Sequence, residues 1–196
     1  MSDDNWDDYA EGWDSNPAAI TYAQQAFQSL GEAIDYSGAR ILDFGCGTGL
    51  LTERLSAQSG AIVALDPSAK MLSVLAGKQL PNVDTIHSEL TRKLIERNTH
   101  LQTPFDLIVA SSALAFVPEY PQTLLLLRQL LKKGGTLVQW DWLKPAGDNG
   151  IGFTPEDIAG GFSDAGLAVV QVNQAFALDT GDERREVVMG IATNTR

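Results

Sequence analysis

Cysteine is almost missing from this chain. Among 196 residues only Cys46 occurs, so no internal disulfide can form. Histidine is nearly as scarce: His87 and His100 are the only two, and neither sits in a Cys/His cluster with metal-ligand spacing. That excludes a zinc ribbon or finger and leaves little imidazole for catalysis. Basic residues are few, 14 against 25 acidic ones, for a formal net charge of -11. A surface of that sign repels phosphate, which argues against nucleic acid as a partner. Arg128 with Lys132 and Lys133, and Arg184 with Arg185, are the densest basic spots, and each reads as a solvated helix end or loop. No run approaches the roughly 18 apolar residues of a membrane span. Met1 to Asp8 shows neither a basic start nor an apolar stretch of the secretory kind. The expectation is a cytoplasmic protein in a reducing compartment.

What is present is enough apolar material for one sizeable core, 44% of residues, in a length usual for one domain. Short β-branched runs alternate with helical patterns, which predicts an α/β fold with helices on both faces of the sheet. Strands are expected at Arg40–Phe44, Ala61–Leu65, Val83–His87, Phe105–Ser111 and Thr136–Trp142. Two more, near Ala168–Val172 and Glu186–Ala192, read as a hairpin with a long connection. Residues 16 to 34 carry apolar positions at helical spacing behind an acidic, aromatic lead-in from Trp6 to Trp13. Residues 1–37 are therefore expected as a helical lid or flank on a core of residues 38–196. Lys132-Lys133-Gly134-Gly135 reads as the end of the helix containing Leu124 to Leu130. Residues 90 to 104 give no clear pattern.

The most informative stretch is Ile41-Leu42-Asp43-Phe44-Gly45-Cys46-Gly47-Thr48-Gly49, an apolar strand running into three alternating glycines and then a helix. Glycines at the end of a parallel strand let backbone approach a ligand, because no Cβ intervenes. Asp43, two residues ahead of the first glycine, suits a cation and repels a pyrophosphate. A dinucleotide fingerprint also needs glycine where Leu50 stands. About 20 residues further on, Asp66 ends the second strand, where a carboxylate accepts hydrogen bonds from both hydroxyls of a ribose. A cationic adenosyl ligand fits these features better than a dinucleotide.

The combined motifs, over about residues 38 to 142, resemble the class I S-adenosylmethionine (SAM) dependent methyltransferases. The lead-in Trp6-Asp7-Asp8-Tyr9-Ala10-Glu11-Gly12-Trp13-Asp14 is similar to that of the branch with ubiquinone and menaquinone biosynthetic enzymes. The resemblance implies a Rossmann-like, doubly wound seven-stranded sheet, mostly parallel with an antiparallel C-terminal strand. It implies SAM as cofactor, S-adenosylhomocysteine (SAH) as product, and in-line methyl transfer to an oxygen, nitrogen or activated carbon of a small molecule. Cofactor contacts are then implied for Asp43, Gly45, Cys46, Gly47, Gly49, Asp66 and Pro67. Met71 is placed on the adenine side, or in helix packing. Ser88, Glu89 and Leu90 follow the third strand, where Glu89 accepts from the adenine amino group or is simply a solvated loop residue. Ser111 and Phe116 lie in the segment implied to line the methionine portion and the reaction face. Tyr9 is implied to reach the cofactor carboxylate, and Trp13 to shield the sulfonium or to staple the sheet edge.

No histidine stands near Ala115 or Phe116, so that loop offers no imidazole base. Asp141, between Trp140 and Trp142 at the end of the fifth strand, is the candidate for orienting the acceptor or taking its proton. The alternative for Asp141 is a strand-end residue held by backbone donors. Two rival functions stay open: a SAM-binding sensor or partner protein without catalysis, and an NAD-linked oxidoreductase. The latter lacks a Tyr-x-x-x-Lys donor pair here. A monomer or homodimer is expected.

Overall fold

The computed structural model describes residues 6–145, 147, 148, 150–179 and 183–196. The first long element, α1 (Pro17–Ala33), starts where Asn16 caps it: the Asn16 side-chain oxygen accepts from the Ala18 N–H at 3.0 Å, and Pro17 occupies the first turn. It ends at Ile34, whose backbone turns extended. Tyr22, Ala26 and Leu30, one turn apart, form its buried stripe. Burying a side chain such as Leu30 stabilises by about 1.5–3 kcal/mol, so Leu30→Ala is the substitution that would loosen this helix from the sheet.

Then follow β1 (Arg40–Phe44), α2 (Leu50–Ser56), β2 (Ala61–Asp66), α3 (Ala69–Gly77), β3 (Val83–His87), α4 (Arg92–Arg97), β4 (Phe105–Ser111), α5 (Tyr120–Leu130), β5 (Leu131–Trp142), α6 (Pro155–Asp164), β6 (Ala168–Asp179) and β7 (Arg184–Thr193). The sheet has the order β3-β2-β1-β4-β5-β7-β6. The first five strands in that order pair in parallel, and β7 runs antiparallel to both its neighbours. One apolar layer, with Leu42, Val63 and Ile108, packs under α4, α5 and α6. The other, with Ile41, Ile62, Val109 and Trp140, packs under α1 and α2. Successive residues of each buried strand thus serve opposite layers, as the pleat requires. The chain leaves β1 toward β2 and later returns to β4 on its other side. That reversal opens a crevice at the strands' carboxyl ends.

Three local expectations are corrected. The Lys132-Lys133-Gly134-Gly135 stretch does not cap α5: the helix stops at Leu130 because Leu131 is already extended and pairs with Phe105. Lys132 reaches Asp106 at 2.6 Å, and Gly134, at φ 80°, turns the strand so that its N–H meets Asn194 O at 2.7 Å. The C-terminal hairpin has a short connection, since Asp179 already pairs with Arg184, and β6 is 12 residues long. Residues 180–182 of that connection lie outside the described set. Residues 90 to 104 hold α4, capped by the Thr91 hydroxyl on the Leu94 N–H at 3.1 Å. A six-residue helix with one buried side chain, Ile95, leaves too short a periodicity to read.

Candidate active site

At the switch point lies a cavity of about 480 Å³. Its floor is the glycine loop. Asp66 holds that loop with both carboxylate oxygens: Oδ2 accepts from the Gly47 N–H at 2.8 Å and Oδ1 from the Ser68 N–H at 2.8 Å. Each oxygen keeps a further lone pair for a ligand. Burial pushes the Asp66 carboxyl above its ordinary range, and the two N–H donors pull it back. Asp43 is 1% exposed, and its Oδ2 accepts from the Thr52 hydroxyl at 2.6 Å. Burial pushes Asp43 up to about 7, against the Thr52 hydrogen bond and with help from the charge of Asp66. Two carboxylates so placed gain from a nearby cation.

The three glycines do different things. A Cβ on Gly47, which sits at φ +55°, would meet nothing within 4 Å and so would occupy space at the cavity. A Cβ on Gly45 would come 2.5 Å from Ala113 Cβ, and one on Gly49 would come 2.3 Å from Leu75 Cδ1. Gly45 and Gly49 therefore make room for the loop after β4 and for α3, while Gly47 leaves room for a ligand. Gly49 is not among the lining residues; it begins α2. Thr48, 1% exposed, lines the cavity with a hydroxyl that has no hydrogen-bond partner among the described residues.

Asp43, Gly45, Cys46, Gly47, Asp66, Pro67, Met71, Ser88, Glu89, Leu90, Ser111, Phe116 and Trp13 all line this cavity, so most of the expected residues converge. Cys46 is a buried thiol pushed well above its ordinary range by burial. Tyr9 does not line the cavity: 49% exposed, it rests against Trp6 and Trp13 with ring centroids 5.8 and 6.5 Å away. Trp6 takes the inner place, edge-on to Phe116 at 5.0 Å. The segment is pinned by Asp7, which accepts from the Ser68 hydroxyl at 2.6 Å and from the Lys70 N–H at 3.3 Å. Lys78 ties it again, reaching Asp14 and Glu53 at 2.9 Å each.

Asp141 also lies away from the cavity. It is 0% exposed, with Oδ1 accepting from the Ala115 N–H at 3.4 Å and Oδ2 from Gln139 Nε2 at 2.8 Å. Strand alternation is the reason: Trp142 points to the α1 side and lines the cavity, so its neighbour Asp141 points to the α5 side. Burial pushes Asp141 up to about 7, with both hydrogen bonds opposing. Gln139 in turn accepts from the Tyr120 hydroxyl at 2.9 Å.

Sequence reasoning missed Tyr22 and Ser112, both lining residues. Tyr22 is 7% exposed, and its hydroxyl has no hydrogen-bond partner among the described residues. Burial pushes it well above the ordinary tyrosine range, the charge of Asp141 adds to this, and Ser112, near it but outside hydrogen-bond geometry, offsets part. Ser112 holds φ 52°, a left-handed conformation unusual for serine, fixed by its N–H on Trp140 O at 2.7 Å. The helical spacing of Tyr22 with Ala26 and Leu30 marked a buried face, but nothing local said that this face reaches a cavity.

Fold and site together define a doubly wound α/β protein with an acid-walled crevice at its switch point. Comparison with known proteins agrees. A family model described as a methyltransferase domain matches residues 42–137. Trans-aconitate 2-methyltransferase of Deinococcus radiodurans is 33% identical over 101 residues, 50% of this chain and 36% of that protein. A ubiquinone biosynthesis O-methyltransferase of Xylella fastidiosa is 31% identical over 125 residues, 62% of this chain and 46% of that protein. This chain thus spans less than half the length of those two relatives. Among solved structures, a SAM-dependent methyltransferase from Aquifex aeolicus superposes with a TM-score of 0.75 at 20% identity, over 96% of this chain and 98% of that one. The N-methyltransferase NodS of Bradyrhizobium japonicum, solved with SAH, gives 0.69 at 17%, over 98% and 100%. Residues 42–137 thus match a methyltransferase domain, and the chain as a whole shares the fold of the SAM-dependent methyltransferases.

Among the described residues no helix is long and apolar enough to cross a membrane. Nor do they hold a group of three or more His, Cys, Asp or Glu side chains able to bind a metal.

Proposed function

We propose that the protein binds SAM in this crevice and transfers its methyl group to a small molecule. The observation that carries the reading is the Asp66 carboxylate, buried beside the open face of Gly47 with lone pairs left over for ribose hydroxyls. The unpartnered Thr48 hydroxyl and the free volume at Gly47 fit a ligand held close to this backbone. When bound, SAM supplies an electrophilic methyl group on a sulfonium. Asp66 would hold the ribose, Pro67, Met71 and Leu90 the faces of the adenine, and Glu89 its amino group. Asp43, two residues before Gly45 on β1, would lend negative potential toward the sulfonium while its Thr52 bond fixes the strand to α2.

Residues 1–37 act in this proposal as a lid and flank on the core of residues 38–196. Trp6 and Trp13 would close over the cavity, excluding water and pressing the acceptor toward the cofactor. The work of the chain is then positioning; with Asp141 facing away, Tyr22 and Ser112 take its place as polar groups on the acceptor side. An NAD site is disfavoured because Leu50 stands where a dinucleotide fingerprint needs glycine and Asp43 would repel a pyrophosphate. Calorimetry with SAM, SAH and NAD tests the ligand: SAM and SAH bind and NAD does not. Binding of NAD alone would overturn the reading. Turnover of SAM with a metabolite mixture separates an enzyme from a sensor.

A further inference from the structure

The cavity has two chemically distinct ends. Asp43, Asp66 and Glu89 gather at the glycine-loop end, with the elements that would surround an adenosyl group. Toward β4 and β5 stand Tyr22, Phe116 and Trp142, with Ser112 as a polar group. None of the lining residues is Lys, Arg or His. Arg185, the nearest cation to Trp142, lies with its guanidinium 4.4 Å from the Trp142 ring centroid; it is paired with Glu183 at 3.4 Å and is not a lining residue. A carboxylate-bearing acceptor would thus be desolvated against aromatic rings, beside three acidic groups, in a chain of net charge -11. No cation lines the cavity to offset the loss of its water.

The aromatic end is also packed as one cluster. Tyr22 meets Trp142 edge-on at 5.2 Å and Phe176 at 5.3 Å, so two walls of the acceptor end are fixed by one aromatic cluster. Fixed apolar walls with a few neutral hydroxyls select flat, apolar ligands.

We propose that the methyl acceptor is a flat, largely apolar molecule carrying no negative charge, seated against Trp142 and Tyr22, and that polycarboxylates are rejected. This rests on the reading of the crevice as a SAM site and departs from what the name of the Deinococcus radiodurans relative states, a tricarboxylate acceptor.

The test uses the whole chain and SAM labelled in its methyl group, incubated with a deproteinised cell extract and, separately, with trans-aconitate. Product is split between an organic layer, a cation exchanger and an anion exchanger. Label is expected in the organic layer or on the cation exchanger, with none transferred to trans-aconitate. Label held on the anion exchanger, or methylated trans-aconitate, overturns the inference while leaving the SAM site intact. Failure of the wild-type chain to bind SAH in calorimetry, or label transferred nowhere, overturns the proposed function itself.

A binding readout runs beside it. Titrating the SAH-loaded protein with indole as the flat, uncharged probe should give saturable heat, and Trp142→Leu should weaken it at least about tenfold with SAH affinity kept within twofold. Equal indole binding by wild type and Trp142→Leu overturns the placement of the acceptor. Tyr22→Phe keeps the ring contacts and serves where the leucine variant does not fold. With it the expected result is unchanged indole binding but at least about a fivefold loss for an oxygen-bearing probe, 2-naphthol, and equal binding of both probes removes the Tyr22 hydroxyl from acceptor recognition.

Discussion

Replacing Asp66 by asparagine keeps the shape of the side chain and removes its charge. In the native chain both oxygens accept backbone N–H groups at 2.8 Å, from Gly47 and from Ser68. Asparagine has one acceptor oxygen, so its NH2 must face one of those donors. Either the glycine loop or the turn into α3 loses its tie. A hydrogen bond to a charged group contributes about 1.5–3 kcal/mol, against about 0.5–1.5 for a neutral one. Losing the charge toward a ribose while one tie is broken should therefore weaken SAM by about 1.5–3 kcal/mol, roughly 10- to 100-fold in Kd. Calorimetry measures it directly, and SAH provides an internal control. SAH shares the ribose but lacks the sulfonium charge, so it should lose most of the same factor and SAM somewhat more. A Kd for SAM within twofold of the native value would refute the ribose role of Asp66 and, with it, the physical basis of the cofactor assignment.

Gly47→Ala carries the strain of a Cβ at φ +55°, about 1–2 kcal/mol, and should weaken SAM at least about tenfold, whereas Gly49→Ala, strained likewise and colliding with Leu75, should lower Tm further with less effect on SAM. The reverse pattern in calorimetry and thermal melts would contradict the division of labour in the loop. Asp141 has a folded pKa of about 7 against an ordinary 3.8, so the folded state binds the extra proton. Its contribution to stability is present below about 4 and is lost as pH rises through about 7. Asp141→Asn should remove that decline, raising Tm relative to the native chain more at pH 8 than at pH 5; an equal change at both pH values would speak against a buried ionisation. Asp7→Ala cuts the tie to Ser68 and Lys70 and should raise the SAM dissociation rate and speed proteolysis around Trp6 to Trp13, with the core intact; unchanged rates in stopped-flow binding would show that the segment is no lid.

The cofactor half of the site was legible because it is local. Asp43, the three glycines and Asp66 lie within 24 consecutive positions at the ends of two paired strands, and strand register alone brings them together. What those glycines do was not legible, because the collisions at Gly45 and Gly49 involve Ala113 and Leu75, which come from elsewhere in the chain. Asp141 was expected at the acceptor pocket, but alternation along β5 turns it to the face opposite Trp142, the residue of that strand that lines the cavity. Trp6 rather than Tyr9 lines the cavity for a different reason. An aromatic lead-in predicts coverage of the site, but the turn that decides which ring faces inward depends on Asp7 bonding to Ser68, 61 residues away. The acceptor end is built by α1, the loop after β4 and the last residue of β5, three segments with no shared motif.

The pairing of β7 with β5 carries a practical corollary. Trp142 stands opposite Val187 and Thr136 opposite Thr193, so the chain's last residues emerge at the amino ends of the parallel strands, the rim remote from the crevice. Trp6, by contrast, is part of the crevice wall. An affinity tag or fusion partner attached after Arg196 should be silent in binding measurements, while the same peptide placed ahead of Trp6 would hang at the ligand's doorway and distort them.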